Sequence, residues 1–203
     1  MLSRRLALGA VALLATPAVL RAQTLPAAPM TPGAPMPSVP DLANRLAASP
    51  DFSKFVALAQ QAGVMDQLRG TQPLTVFAPT NAALDSIPNL ILQELTGRDT
   101  QDSTPDPIRL SALVTHHMLA GNHMITEFIG KVQDLPSRNG GLIRINGMGR
   151  VVTVAVAAPE GGARSNFGTG VGGYNVQPPA EVVRADIMAS NGIIHAVNGV
   201  MLP

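Results

Sequence analysis

Apolar residues recur at helical spacing in the first half of the chain and in short alternating runs in the second. Leu42 and Leu46 stand four residues apart just after Asp41, which predicts a short helix. Ser49 or Asp51 is placed to cap a second helix, with apolar stripe Phe52, Phe55, Val56, Ala59 and Ala62 and an end marked by Gly63. Residues 74–78 form a β-rich run that stops at Pro79, and Thr80 or Asn81 can cap a helix through Ala82, Ala83 and Leu84. Pro88 precedes a helical stretch over residues 90–96, closed by Gly97, and the polar segment 99–107 reads as a loop. Asp106-Pro107 then starts a helix that carries Leu110, Leu113, Val114 and His117 at i, i+3, i+4 and i+7.

From Ile125 the pattern changes to short β-type runs at residues 142–145, 151–157, 181–185 and 193–200. Asn146-Gly147 is a hairpin signal between the first two. Residues 159–180 are rich in glycine and read as a long hairpin loop. Helices followed by strands, with no repeat of 20–50 residues, predict an α+β fold.

The chain begins with an address. Arg4 and Arg5 precede an uncharged apolar run over residues 6–20, and Ala22 is a small residue suited to cleavage, so residues 1–22 read as a signal peptide. The run is shorter than the ~20 residues a membrane span needs, so no transmembrane anchor is expected after cleavage. Ser3-Arg4-Arg5-Leu6-Ala7-Leu8 resembles the twin-arginine export signal, with Ala7 where an aromatic is preferred. Prolines at 26, 29, 32, 35, 37 and 40 make residues 23–40 a Pro-rich linker. The expected location is therefore periplasmic or extracellular.

Composition narrows the function. Hydrophobic residues are 46% of the 203, enough to fill a core. The formal net charge of +1 belongs to the leader: without Arg4, Arg5 and Arg21 there remain 11 basic residues against 13 acidic. With no Trp and one Tyr, neither a phosphate-binding surface nor a base-stacking platform is indicated, and no nucleic-acid partner is expected. The absence of Cys excludes disulfides and thiolate chemistry.

Three segments together resemble the fasciclin (FAS1) domain family. Residues 74–83, LTVFAPTNAA, resemble its TVFAPTNxAF motif, with Leu84 at the usual Phe. Residues 114–121, VTHHMLAG, resemble LxYHVxPG, with His116 at the usual Tyr and Ala120 at the usual Pro. Residues 185–203 resemble ADIxASNGVIHVIDxVLLP, with Asn198 at the usual Asp. The motifs stand in family order and cover residues 41–203, and the end at Pro203 suggests a single-domain bacterial member. The resemblance implies a wedge-like β-sandwich of about seven strands with helices along one edge. It also implies a role in adhesion or matrix association.

Thr80, Asn81, His116, His117, Asp186, Asn191 and His195 are the motif residues with polar groups to offer a partner. Each also has a structural reading. Thr80 and Asn81 can satisfy helix amides. His117 lies on an apolar helix face, where a buried ring bonded to backbone is expected. His116 points about 100° away and reads as exposed or at a rim. Asp186 can tie down the Asn191-Gly192 turn, and His195 sits within a strand. A metal site from His116, His117, His123 and His195 lacks ligand spacing and a carboxylate pair. No nucleophile elbow or phosphate loop is present, so neither an enzyme nor a cofactor is expected. The expected function is an exported adhesion or surface-interaction module for an envelope protein or glycan. The alternative is a periplasmic binder of a small apolar ligand such as a pigment or lipid, suggested by the aliphatic content, nine methionines and the Gly-rich loop.

Overall fold

The helices are short, and the side-chain oxygen of the preceding residue caps the starts of three of the five described, those that begin at Leu42, Asn81 and Pro107. The computed structural model describes residues 39–88, 106–157 and 178–202. The segment expected to be a signal peptide, nearly all of the expected Pro-rich linker, the helix expected at 90–96 and most of the expected Gly-rich loop lie outside these residues. Helix α1 (Leu42–Ala47) is capped by the Asp41 carboxylate, which accepts from the Asn44 N–H at 2.7 Å. A 3-10 turn, Pro50–Phe52, leads into α2 (Ser53–Gln61). Neither Ser49 nor Asp51 caps α2 as the sequence suggested; instead Asn81 Oδ1, far along the chain, accepts from the Lys54 N–H at 3.0 Å. At the other end Gly63, at φ 67, lets its own N–H reach Gln60 O and the Val64 N–H reach Ala59 O.

Three more helices follow in the described residues. Helix α3 (Met65–Arg69) had no sequence signal, α4 (Asn81–Asp85) is capped by Thr80, and α5 (Pro107–His116) by Asp106. Among the described residues no helix is long and apolar enough to cross a membrane.

Seven strands are described: β1 (Leu74–Pro79), β2 (Met118–Ala120), β3 (Val132–Pro136), β4 (Leu142–Asn146), β5 (Thr153–Val156), β6 (Ala180–Ala189) and β7 (Gly192–Val197). Their hydrogen-bonded order is β2-β1-β7-β6-β5-β4-β3. Among the described strands only β1 and β7 run parallel. Register shifts in β6, between Val182 and Ile187, bend the strand that joins the two halves of the sheet. The two ends of the order meet where Leu119 bridges Ser137 and the Arg138 N–H donates to Met118 O at 2.9 Å. The sheet thus folds back on itself, and Phe77 and Val197 pack in one core with Ile143, Ile145 and Val154.

The Asn146-Gly147 pair does not make a two-residue hairpin. Asn146 pairs with Thr153, so the connection is longer. Gly147 has another duty: a Cβ there would lie 1.9 Å from Phe128 O, so glycine is what lets the loop pass that backbone. Strands β2 and β3 had no sequence signal either, because β2 spans three residues and β3 alternates only weakly in burial.

Alternation along β1 and β7 divides the apolar residues between two cores. Leu74, Val76, Ala78, Ile194 and Ala196 face the helices and pack with Leu42, Leu46, Phe55, Leu68, Leu110 and Val114. Phe77 and Val197 face the fold of the sheet.

Candidate functional site

The polar residues singled out in the sequence turn inward. Asn191, at the β6–β7 turn, accepts from the Leu42 N–H at 2.8 Å and donates to Leu68 O and Gly70 O at 2.9 and 2.6 Å. It thereby joins α1 and the end of α3 to the turn. Asn81 does the same for α2, donating to Pro50 O at 2.8 Å while capping through its oxygen. Thr80 is a local cap, accepting from the Ala83 N–H at 3.2 Å.

Asp186 does not hold the Asn191 turn. It sits at φ 55, inside the bend of β6, and its carboxylate accepts from the Ile125 N–H at 2.9 Å. The Asp186 N–H donates to His195 Nδ1 at 3.2 Å, and His195 Nε2–H donates to His123 O at 2.9 Å. These partners assign His195 the neutral form protonated on Nε2. Its ring is fully buried and lies 5.2 Å from that of Phe77. Burial lowers its pKa below the usual histidine value, against the His123 carbonyl and the Asp186 carboxylate, which raise it.

His117 takes the opposite tautomer. Nδ1–H donates to Leu113 O at 2.8 Å, and Nε2 accepts from the Met201 N–H at 3.0 Å. Burial pushes its pKa down to about 4, with the Leu113 bond opposing and His116 assisting. One ring thus pins the segment following β7 to helix α5.

His116 is the clearest departure from expectation. It does point away from the α5 stripe, yet only 1% of it is exposed. The β3–β4 turn covers it: Asn139 Oδ1 lies 3.0 Å and Ser137 Oγ 3.3 Å from Nδ1, and a Cβ on Gly141 would come within 2.8 Å of the ring. Nε2 is buried with no hydrogen-bond partner. Burial lowers the pKa of His116, with the Asn139 bond opposing.

The candidates therefore gather in separate places. Asp186 and His195 share one network with His123 and with Thr75, a residue the sequence reading passed over. Thr75 Oγ1 donates to Gly121 O and accepts from the His123 N–H, both at 2.8 Å. The signal was present, since Thr75 shares the inward face of β1 with Phe77. His116 and His117, though adjacent, have ring centres 6.4 Å apart and serve different segments. Among the described residues no three His, Asp or Glu side chains are grouped to hold a metal ion.

A surface pocket lies beside the Asp186 network. It has a volume of about 350 Å³ and is walled by Ile125, Ile129, Val151, Val152 and Val182, with Arg150 at its lining. The sequence placed Val151, Val152 and Val182 in β-type runs but marked none of these residues as a site, because they come together only from separate loops and strands.

A fasciclin domain model matches residues 50–203. The chain belongs to the fasciclin domain family. Human stabilin-1 is 30% identical over 175 residues, which are 85% of this chain and 6% of stabilin-1. The pig transforming growth factor-beta-induced protein ig-h3 is 29% identical over 75% of the chain and 18% of its own length. The Synechocystis protein sll1483 is 28% identical over 75% of the chain and 67% of its own length. The chain thus spans a small part of the two animal relatives. The solved FAS1 domain pair of the insect cell adhesion molecule fasciclin I superposes with a TM-score of 0.52 at 18% identity, covering 75% of this chain and 46% of that one. The fold is therefore the FAS1 fold, with the seven-stranded sheet and helical cover the motifs implied. In this fasciclin domain the motif polar groups act as fasteners: Asn81, Asn191, His117 and His195 each tie together segments distant in sequence.

Proposed function

We propose that this fasciclin domain is an exported adhesion or surface-interaction module that binds an envelope protein or glycan and does not catalyse. The observation that carries the reading is the inward engagement of the motif side chains. Thr75, Asn191, His117 and His195 are all occupied by backbone partners, so the motifs maintain a scaffold and recognition falls to its outer surface. Family membership and the adhesion molecule whose fold it shares support the same reading. Arg4, Arg5 and the apolar run after them support export. The test is retention of the purified mature protein on isolated envelopes. Saturable retention that falls on protease or periodate treatment of the envelopes is expected. Retention no greater than that of an unrelated exported protein would overturn the proposal.

A second reading, a binder of a small apolar ligand, is favoured by the aliphatic pocket beside Asp186. Its volume lies at the lower end of the roughly 300–1,000 Å³ common for small-molecule sites. A melting temperature unchanged across a panel of soluble lipids would sink it.

A further inference from the structure

We propose that the pocket formed by Ile125, Ile129, Val151, Val152, Val182 and Arg150 receives one acyl carboxylate. Its chain would lie against the aliphatic wall and its carboxylate on Arg150. The inference rests on the second reading above and gives it a ligand class.

Charge selects the head group. Among the described residues that line the pocket, Arg150 is the only ionisable one. Its side chain is exposed and, among the described residues, holds no hydrogen bond or ion pair. A guanidinium offers a planar pair of donors that matches a carboxylate. One such group suits a monoanion better than a doubly charged phosphate, and it repels an apolar amine.

The wall is held in place before any ligand arrives. The Ile125 N–H is fixed by the Asp186 carboxylate at 2.9 Å. Val152 and Val182 are joined by an N–H···O bond of 2.9 Å. Gly147 lets the 147–152 loop lie directly on the Phe128 backbone, and its N–H donates to Lys131 O at 2.8 Å. A preorganised wall lowers the ordering cost of binding. Exposed Ile129 and Val151, 61% and 45% accessible, are the apolar surface that an acyl chain would remove from water.

The test is calorimetric titration of the full mature protein with decanoate below its micelle concentration, alongside decanol and decyltrimethylammonium. Saturable one-site binding of decanoate is expected, with decanol about tenfold weaker and the cation not bound. Arg150→Gln should weaken decanoate about tenfold and leave decanol unchanged, whereas Arg138→Gln should change neither. Ile129→Glu, at an exposed position, should abolish binding of both, with thermal melts confirming that each variant is folded. Equal affinity for decanoate and decanol, untouched by Arg150→Gln, would overturn the carboxylate pairing while the apolar-ligand reading stands. Absence of binding by both amphiphiles would overturn the two together.

Discussion

The parallel pair β1–β7 has two faces, and they are built on different principles. The face toward the helices is sealed by aliphatic and aromatic side chains, Leu42, Leu46, Phe55, Leu110 and Val114 among them. Before residue 117, only Val39 and Ile108 among the described large apolar residues stand exposed. The other face encloses a smaller apolar group and is crossed by hydrogen bonds from Thr75 and His195. The segments that enclose it leave Met124, Ile129, Val132, Met148, Val151, Val183 and Met188 open to water. The helical side draws its stability from burial, about 25 cal/mol per Å² of apolar surface. The strand side relies more on directional links worth about 0.5–1.5 kcal/mol each. Under the proposed function, binding would fall on the side of the described residues whose apolar surface is incompletely consumed by folding.

The largest test of that contrast is Leu110→Ala, at a fully buried site on the helical side. It should cost about 2–5 kcal/mol in urea unfolding and raise amide exchange throughout β1 and β7. Exchange that rose only in α5 would break the claim that this face holds the domain together.

Acid should act through the pinned histidines on both faces. His117 binds its proton more weakly folded, at about 4, than unfolded, near 6.5. Its contribution is complete above the unfolded value and is lost as pH falls from about 6.5 toward about 4. His117 alone should remove on the order of 3 kcal/mol. His116 and His195 are lowered too, so they act in the same direction. Urea midpoints measured at pH 7, 5 and 4 should fall steadily; a flat profile would contradict the burial assigned to these rings.

Gly147→Ala tests the strand side. Its Cβ must displace the Phe128 backbone, and a loss of about 1–3 kcal/mol is expected. Exchange should increase around residues 128–131 and 147–152 while α1 and α5 stay protected; equal loosening of both faces would erase the distinction. Arg144→Ala is the smallest test. It removes a forked pair with Asp134, at 2.8 and 2.6 Å, on the exposed β3–β4 ladder. It should change stability by about 0–1 kcal/mol, falling further with salt, as read by thermal melts.

What the sequence revealed was local or repeated. Gly63, the Thr80 cap and the Asp106-Pro107 start are signals read within a few residues, and each holds its place in the structure. The helical stripes and the runs that became β4 to β7 follow periodicity. The family motifs supplied the arrangement. What stayed hidden depends on distant contacts. Asn81 caps a helix 27 residues before it, and no local pattern marks that pairing. His116 was expected at a rim because its direction on α5 was read alone; the turn carrying Ser137 and Asn139 closes over it. Asp186 was assigned to the neighbouring turn, yet its carboxylate serves Ile125, 61 residues away. The pocket and Arg150 share that invisibility, since their elements meet only after the sheet folds back.

The position of β7 has a consequence for how the protein is made. Its residues lie between β1, with which they run parallel, and β6. A chain emerging from the ribosome and stopped short of Val197 has its first strand without its parallel neighbour and its helices without half of the surface they pack on. Such intermediates have no complete core to settle into, and pairing across so many residues is slow. The parallel pair therefore closes, and the helices gain their full packing surface, only after nearly all of the chain has been synthesised.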